Sequence, residues 1–226
     1  ADLRQALGQT VPSFNVEAVG GDLANLTLSA ALRGLSPNAT LVMVNGKRRH
    51  GTGNLHVLGG AFGGSAAPDI SLIPTAAIDH IEVLMDGAAA QYGTDAIAGV
   101  VNFILKKKSS GGSFSATGGR NYDRGGETYD FSYNMGLPLF DKGFVNVTVD
   151  KQYHTYTQQG GADARVVDGT LPGDPALTGS VGGVPNAIIR QMTGYPRINP
   201  INGDAQYNLT MASVNAGYDF SDNVQL

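Results

Sequence analysis

The sequence predicts a mainly β protein with minor α, in two parts. A small mixed α+β unit with a central β-sheet comes first, and a set of antiparallel strands follows. Three observations carry this. Leu41-Val42-Met43-Val44 and Val100-Val101-Asn102-Phe103-Ile104-Leu105 are continuous apolar runs, which read as strands buried on both faces. Beyond residue 112 the pattern becomes strict alternation of apolar and polar residues, with period two. Between the two parts, Lys106-Lys107-Lys108-Ser109-Ser110-Gly111-Gly112 breaks the composition and places a boundary near residue 110.

Composition narrows the function. The 226 residues include 32 Gly and 10 Pro but neither Cys nor Trp. A disulfide scaffold, a thiolate zinc site and a Cys nucleophile are excluded. Charged residues make up 15%, with a net charge of -4, which gives no support to a nucleic-acid partner. No apolar run reaches the roughly 18 residues of a membrane-spanning helix. Ala1-Asp2-Leu3-Arg4 lacks the basic start and apolar core of a signal peptide. The protein is therefore cytosolic or has lost a signal.

The first elements follow from local chemistry. Asp2 to Gly8 reads as a short helix, with Asp2 as N-cap, Leu3, Ala6 and Leu7 on one face, and Gly8 closing it. Leu26, Leu28, Ala30 and Leu32 alternate with Thr27, Ser29, Ala31 and Arg33, the period of a strand. Ser36-Pro37-Asn38 is a turn. Asn45-Gly46 after the first buried run marks a hairpin, because both central residues of a type I′ turn need positive φ. Residues 50–69 form a glycine-rich loop, and loops of that length are usually functional or disordered. Ile81 to Met85 reads as a strand, Asp86-Gly87 as a turn, and Ala88 to Tyr92 as one helical turn closed by Gly93.

In the second part, residues 112–120 form a first strand. Tyr129, Phe131, Tyr133, Met135 and Leu137 share one face of the next. Val145, Val147, Val149 and Tyr153 share a face of the third, opposite Asn146, Thr148, Asp150 and Gln152. In the fourth, Tyr207, Leu209 and Met211 start a stripe that Val214, Ala216, Tyr218 and Phe220 continue on the other parity, which predicts a bulge near Ala212-Ser213. The connections are unequal: a polar loop near 120–127, a short turn at Pro138 to Gly143, and a long loop, 154–204, with nine Gly and five Pro. Such strands and connections suit an outer-membrane β-barrel. A soluble β-sandwich alternates in the same way, and the pattern alone leaves both open.

Familiar catalytic motifs are missing. Gly59-Gly60-Ala61-Phe62-Gly63-Gly64 lacks the Lys-Ser or Lys-Thr of a phosphate-binding loop. His80 and Glu82 have no cysteines to complete a zinc deaminase set. The four His show no metal-ligand spacing. There is no nucleophile elbow. No enzyme, cofactor or metal is expected.

Four separated motifs resemble the plug domain of TonB-dependent outer-membrane receptors. They are Leu32-Arg33-Gly34-Leu35, the run Thr40 to Arg48, the run Ile73 to Leu84, and the run Asp86 to Phe103 with its Tyr92-Gly93 and Val101-Asn102 pairs. The resemblance covers residues 1–110 and implies a plug domain there. It implies that residues 111–226 are the N-terminal portion of the family's barrel, about four strands of a truncated transmembrane β-barrel. Two departures stand out. The family usually has Arg where His80 stands, and Asp where Asn45 stands.

The resemblance implies a receptor that binds a scarce nutrient and imports it when TonB, energised by the inner membrane, moves the plug. TonB engages a short N-terminal box that is not seen in this chain, so the chain is expected to be a fragment. The implied site is the bacterial outer membrane, with the plug facing the periplasm. Partners are TonB, outer-membrane lipid and a small-molecule, oligosaccharide or siderophore ligand. Candidate substrate contacts are Lys47, Arg48, Arg49, His50, Asn54 and His56; the plain alternative is a solvated loop. Candidate plug–barrel contacts are Arg33, His80, Glu82, Tyr92, Gly93 and Gly99. A passive porin and a secreted carbohydrate-binding β-protein are the rival readings. A porin has no need of the four plug motifs.

Overall fold

The computed structural model describes residues 3–15, 27–57, 60–86, 88–122, 125–157, 180–181, 184–185, 203–221 and 224–225. Helix α1 spans Leu3–Thr10. Gly8 does not close it, because Leu3, Leu7 and Val11 pack into one core at a spacing of four and carry the helix past the glycine. Asp2 lies outside the described residues. Strands β1 (Phe14–Asn15) and β2 (Ala31–Leu32) pair antiparallel.

The strand expected over 26–33 is thus two residues long. Leu28 to Leu32 are all buried, including Ser29, so this segment has no solvent face for alternation to mark. It is held instead by Asp69, whose Oδ1 accepts from the Leu28 backbone N at 3.0 Å. Residues 37–39 form a 3-10 turn capped by Ser36.

The central sheet has four strands in the order β4-β3-β6-β5. These are β3 (Thr40–Val44), β4 (Lys47–Arg48), β5 (Ile78–Leu84) and β6 (Gly99–Leu105). β3 and β6 run parallel, and β5 lies antiparallel to β6. Asn45 and Gly46 have φ of 50° and 76°, the backbone of the expected I′ turn. β5 starts three residues before the expected Ile81, and a 3-10 turn at Thr75–Ala77 leads into it. Helix α2 is a single turn, Ala89–Tyr92, ended by Gly93. The core of this unit is Leu7, Phe14, Leu28, Leu32, Val42, Ile70, Val101 and Phe103.

Gly99 is the tightest point in this sheet. Its φ is 141°, and a Cβ there would stand 2.4 Å from the Leu84 carbonyl oxygen and 2.9 Å from Leu32 Cδ1. Only glycine lets β6 begin against β5 and β2 at that distance.

A second sheet orders its strands β13-β12-β9-β8-β7. They are β7 (Gly112–Gly119), β8 (Thr128–Leu139), β9 (Gly143–His154), β12 (Tyr207–Ser221) and β13 (Val224–Gln225). All neighbours pair antiparallel. Short strands β10 (Ser180–Val181) and β11 (Val184–Pro185) pair with each other, and the rest of the 154–204 loop after 157 and before 203 lies outside the described residues.

The bulge expected at Ala212-Ser213 is absent. β12 pairs with β9 in unbroken register from Tyr207↔His154 to Tyr218↔Gly143. The stripe changes parity because the environment changes along the strand. Met211 is buried on the inner face, whereas Val214 on the outer face is 67% exposed. A register shift does occur further on, between Asp219 and Ser221 against β13.

Candidate functional site

The second sheet is a wall with two chemistries. Cross-strand pairs Tyr133↔Val149, Met135↔Val147 and Leu137↔Val145 carry the apolar side chains on one face, joined by Val214 and Ala216 of β12. Pairs Ser132↔Asp150, Asn134↔Thr148 and Gly136↔Asn146 form the other face. There, Ser132, Asn134, Asn146, Thr148 and Asp150 are all buried. What covers them is the N-terminal unit. The wall is therefore apolar outward and polar inward, the reverse of a water-soluble sheet.

Amides fasten the unit to the wall near the short-turn end. Asn45 Nδ2 donates to Asn215 Oδ1 at 3.3 Å, and Asn215 Nδ2 donates to the Lys106 carbonyl at 2.9 Å. Asn146 Nδ2 also donates to the Lys108 carbonyl at 3.5 Å. Asn134 in turn donates to Asn146 and Thr148 along the wall. The same Asn45 accepts from the Leu105 backbone N at 2.9 Å, and Asn102 accepts from Gly46 N at 2.9 Å. The sequence alone presents Asn45 as a turn former and Asn102 as part of an apolar run. A polar residue inside such a run must find a partner, and that signal pointed to Asn102.

At the opposite, long-loop end the unit and the wall part around a cavity of about 550 Å³. Leu3, Leu28, Leu72 and Ile73 line it from the N-terminal unit. Thr128, Asp130, Gln152, His154 and Tyr207 line it from the wall. His154 stacks on Tyr207 with ring centroids 5.4 Å apart. Its Nδ1 meets Thr128 Oγ1 at 2.7 Å, while its buried Nε2 has no hydrogen-bond partner among the described residues.

The expected basic cluster is divided. Lys47 and His50 are exposed. Arg48 bonds Asp95 and the Tyr92 carbonyl, tying the hairpin to α2. Arg49 Nε donates to the Asp69 carbonyl at 3.2 Å. Asn54 is half-buried, and its backbone N bonds Thr52 Oγ1. His56 is 4% exposed and lies 5.9 Å from Phe62, so it cannot meet a ligand while its loop is closed. That closure is backbone bonding between His56 and Ser65 and between Gly64 and His56.

The six expected plug–barrel contacts find partners inside the N-terminal unit. Arg33 is exposed with φ 59°, and its backbone N bonds the Ser13 carbonyl. Glu82 accepts from Asn102 Nδ2 at 2.8 Å. Tyr92 and Gly93 stand beside Arg48, and Gly99 meets Leu84. His80, on the exposed face of β5, lies 2.8 Å from Asp79 and 3.7 Å from Glu82. The Asp79 hydrogen bond, and then the charges of Asp79 and Glu82, raise the His80 pKa above its ordinary 6.5. Reciprocally, Asp79 is held below its ordinary 3.8.

A plug-like unit, seated on a wall that is apolar outward and polar inward, defines the class of plugged β-barrels. Residues 1–100 match the family model for the TonB-dependent Receptor Plug Domain. It is 29% identical over 185 residues to the vitamin B12 transporter BtuB of Vibrio cholerae serotype O1, covering 76% of this chain and 26% of that protein. It is 40% identical over 76 residues to a probable TonB-dependent siderophore receptor, PirA of Acinetobacter baumannii, covering 34% of this chain and 10% of that protein. In fold it is similar to the ferric enterobactin receptor PfeA of Pseudomonas aeruginosa (TM-score 0.54, 24% identity, 70% of this chain, 23% of that one). The ferric yersiniabactin uptake receptor FyuA of Yersinia pestis is also similar (TM-score 0.50, 16% identity, 94% of this chain, 25% of that one). The chain spans about a quarter of the length of the vitamin B12 transporter that it matches. The relatives are named as transporters and receptors, not enzymes.

Proposed function

We propose that the whole protein is an outer-membrane receptor that binds a scarce nutrient from outside and imports it by TonB-energised movement of its plug. The plug would face the periplasm, and TonB would act through the family's N-terminal box. The observation that carries this reading is the wall, whose lipid-type face and polar inner face enclose a plug domain. A passive porin would leave a water-filled lumen at that inner face. Here Asn134, Thr148 and Asp150 are buried instead. The division into a plug over 1–110 and barrel strands over 111–226 is part of the same proposal, as are Lys47 and His50 as exposed ligand contacts.

The test is uptake of labelled ligands, a cobalamin and a ferric siderophore among them, by cells carrying the full-length receptor with and without TonB. Import that depends on TonB is expected. Equal uptake in both strains would refute energy coupling.

A further inference from the structure

We infer that Lys151, Asn208 and Thr210 form a site on the outer face of the wall for the phosphate of an outer-leaflet glycolipid. The inference rests on the reading above that this wall belongs to an outer-membrane barrel. Register fixes which side chains share that face. Lys151 of β9 stands between Phe131 of β8 and Thr210 of β12, on the same face as Val147, Val149 and Val214. Among the described outward positions of β8, β9 and β12 it is the one charged residue. A cation on a lipid-facing strand is costly at the middle of a bilayer and tolerated near its edges.

Two aromatic groups mark those edges. Tyr129 and Tyr153 stack with centroids 6.4 Å apart, one outward row beyond Lys151 towards the long-loop end. Phe140, Tyr218 and Phe220 cluster at the short-turn end, with centroids 6.2 and 5.0 Å apart. From Tyr153 to Gly143, the partner of Tyr218, is about 34 Å along the strand, or about 26 Å upright at a tilt of roughly 40°. That matches the apolar band of about 25 Å that lies between the two aromatic girdles of such barrels. The long connections of these barrels are extracellular, so Lys151 lies at the outer border of the band.

The lysine side chain leans the same way. Its Nζ donates to Asn208 Oδ1 at 2.5 Å and to Thr210 Oγ1 at 2.7 Å. Asn208 pairs with Tyr153, so the ammonium reaches out of the apolar band towards the headgroups. Both acceptors are neutral, so they hold the charge in place without cancelling it. An ammonium has three donors, and these bonds use two. The third N–H, the Asn208 amide N–H groups and the Thr210 hydroxyl hydrogen gather donors around one positive charge. A phosphate brings the opposite charge and several acceptor oxygens, and such charge-assisted bonds are the strong ones. Phe131, 48% exposed, and the tyrosine pair flank the site with surface for sugar rings and acyl chains. The outer leaflet of a bacterial outer membrane is built largely from phosphorylated glycolipid, which names the occupant.

The experiment uses the purified full-length receptor in detergent, with bound lipid read by native mass spectrometry. Three probes are offered: bisphosphorylated lipid A, the same glycolipid with its phosphates removed, and phosphatidylglycerol. Lipid A is expected to stay bound, with at least fivefold less retention of each of the other two. Lys151→Met is expected to lower lipid A retention at least fivefold. Lys142→Ala, at the short turn, is expected to leave it unchanged. Should Lys151→Met fail to fold, the three probes on the unaltered receptor still decide the matter. Equal retention of lipid A and either other probe, or lipid A retention unmoved in folded Lys151→Met, overturns the inference. TonB-dependent import in cells is a separate readout. Import without selective retention of lipid A overturns the inference and leaves the receptor reading standing. Retention that follows the phosphates and Lys151, with import independent of TonB, supports the site and refutes energy coupling.

Discussion

The two sheets of this chain use the same backbone pairing and opposite polarity. In the plug, β3 and β6 bury Leu41, Val42, Val100, Val101 and Phe103 and turn polar groups outward or into specific bonds. In the wall, the buried side chains are Asn134, Asn146, Thr148 and Asp150, while Phe131, Tyr133 and Val149 are more than two-fifths exposed. The difference teaches that burial follows the neighbour, not the residue type. The wall's inner face meets another part of the protein, and its outer face is fit for lipid.

The largest expected effect lies at the tightest point of the plug. Gly99→Ala places a Cβ against the Leu84 carbonyl and should cost about 2–5 kcal/mol of plug stability, summing backbone strain and overpacking. Limited proteolysis of the full receptor reads this directly; unchanged resistance would show that β6 can shift. Next is the outer face of the wall. Val147→Lys, between Met135 and Val214, should cost about 2–4 kcal/mol in urea titrations of folding into lipid vesicles. A change near zero would mean that this face does not meet lipid.

A smaller effect is expected where the two sheets touch. Asn45→Asp keeps the turn and the bond from Leu105 but loses the donor to Asn215, for about 1 kcal/mol. Thermal melting of the plug in the full receptor, with Asn215→Ala as the second arm of a double-mutant cycle, measures the coupling. The smallest effect is at His80. Its raised pKa means that the Asp79 pair stabilises below pH about 6.5 and fades as pH rises through the folded value. Asp79, lowered from 3.8, contributes above that pH and loses its contribution as pH falls. The pair is thus strongest between these limits and, being exposed, weak. Imidazole NMR should place the His80 midpoint above 6.5 and move it down in Asp79→Asn.

Much of this was legible in the sequence. The two apolar runs became β3 and β6, Asn45-Gly46 made its turn, and Tyr92-Gly93 ended a single helical turn. The failures share one cause. Gly8, the segment 28–32 and the parity change in β12 were read from local pattern, but each is decided by packing from a distant part of the chain. Core contacts carry α1 past Gly8, Asp69 holds Leu28, and Met211 is buried on the wall's inner face while Val214 is exposed on the outer one. The basic cluster divides for a similar reason. Sequence shows charge but not that Arg48 and Arg49 are already bonded to Asp95 and to backbone carbonyls.

The amide contacts at the short-turn end have a further consequence. An aspartate makes the same hairpin as Asn45, so turn geometry alone treats the two as interchangeable. Only the amide can accept from Leu105 and donate to Asn215 together. Because these fasteners carry no charge, neither ionic strength nor ordinary acidity loosens them. The plug's hold at that end is therefore indifferent to the saltiness of its surroundings.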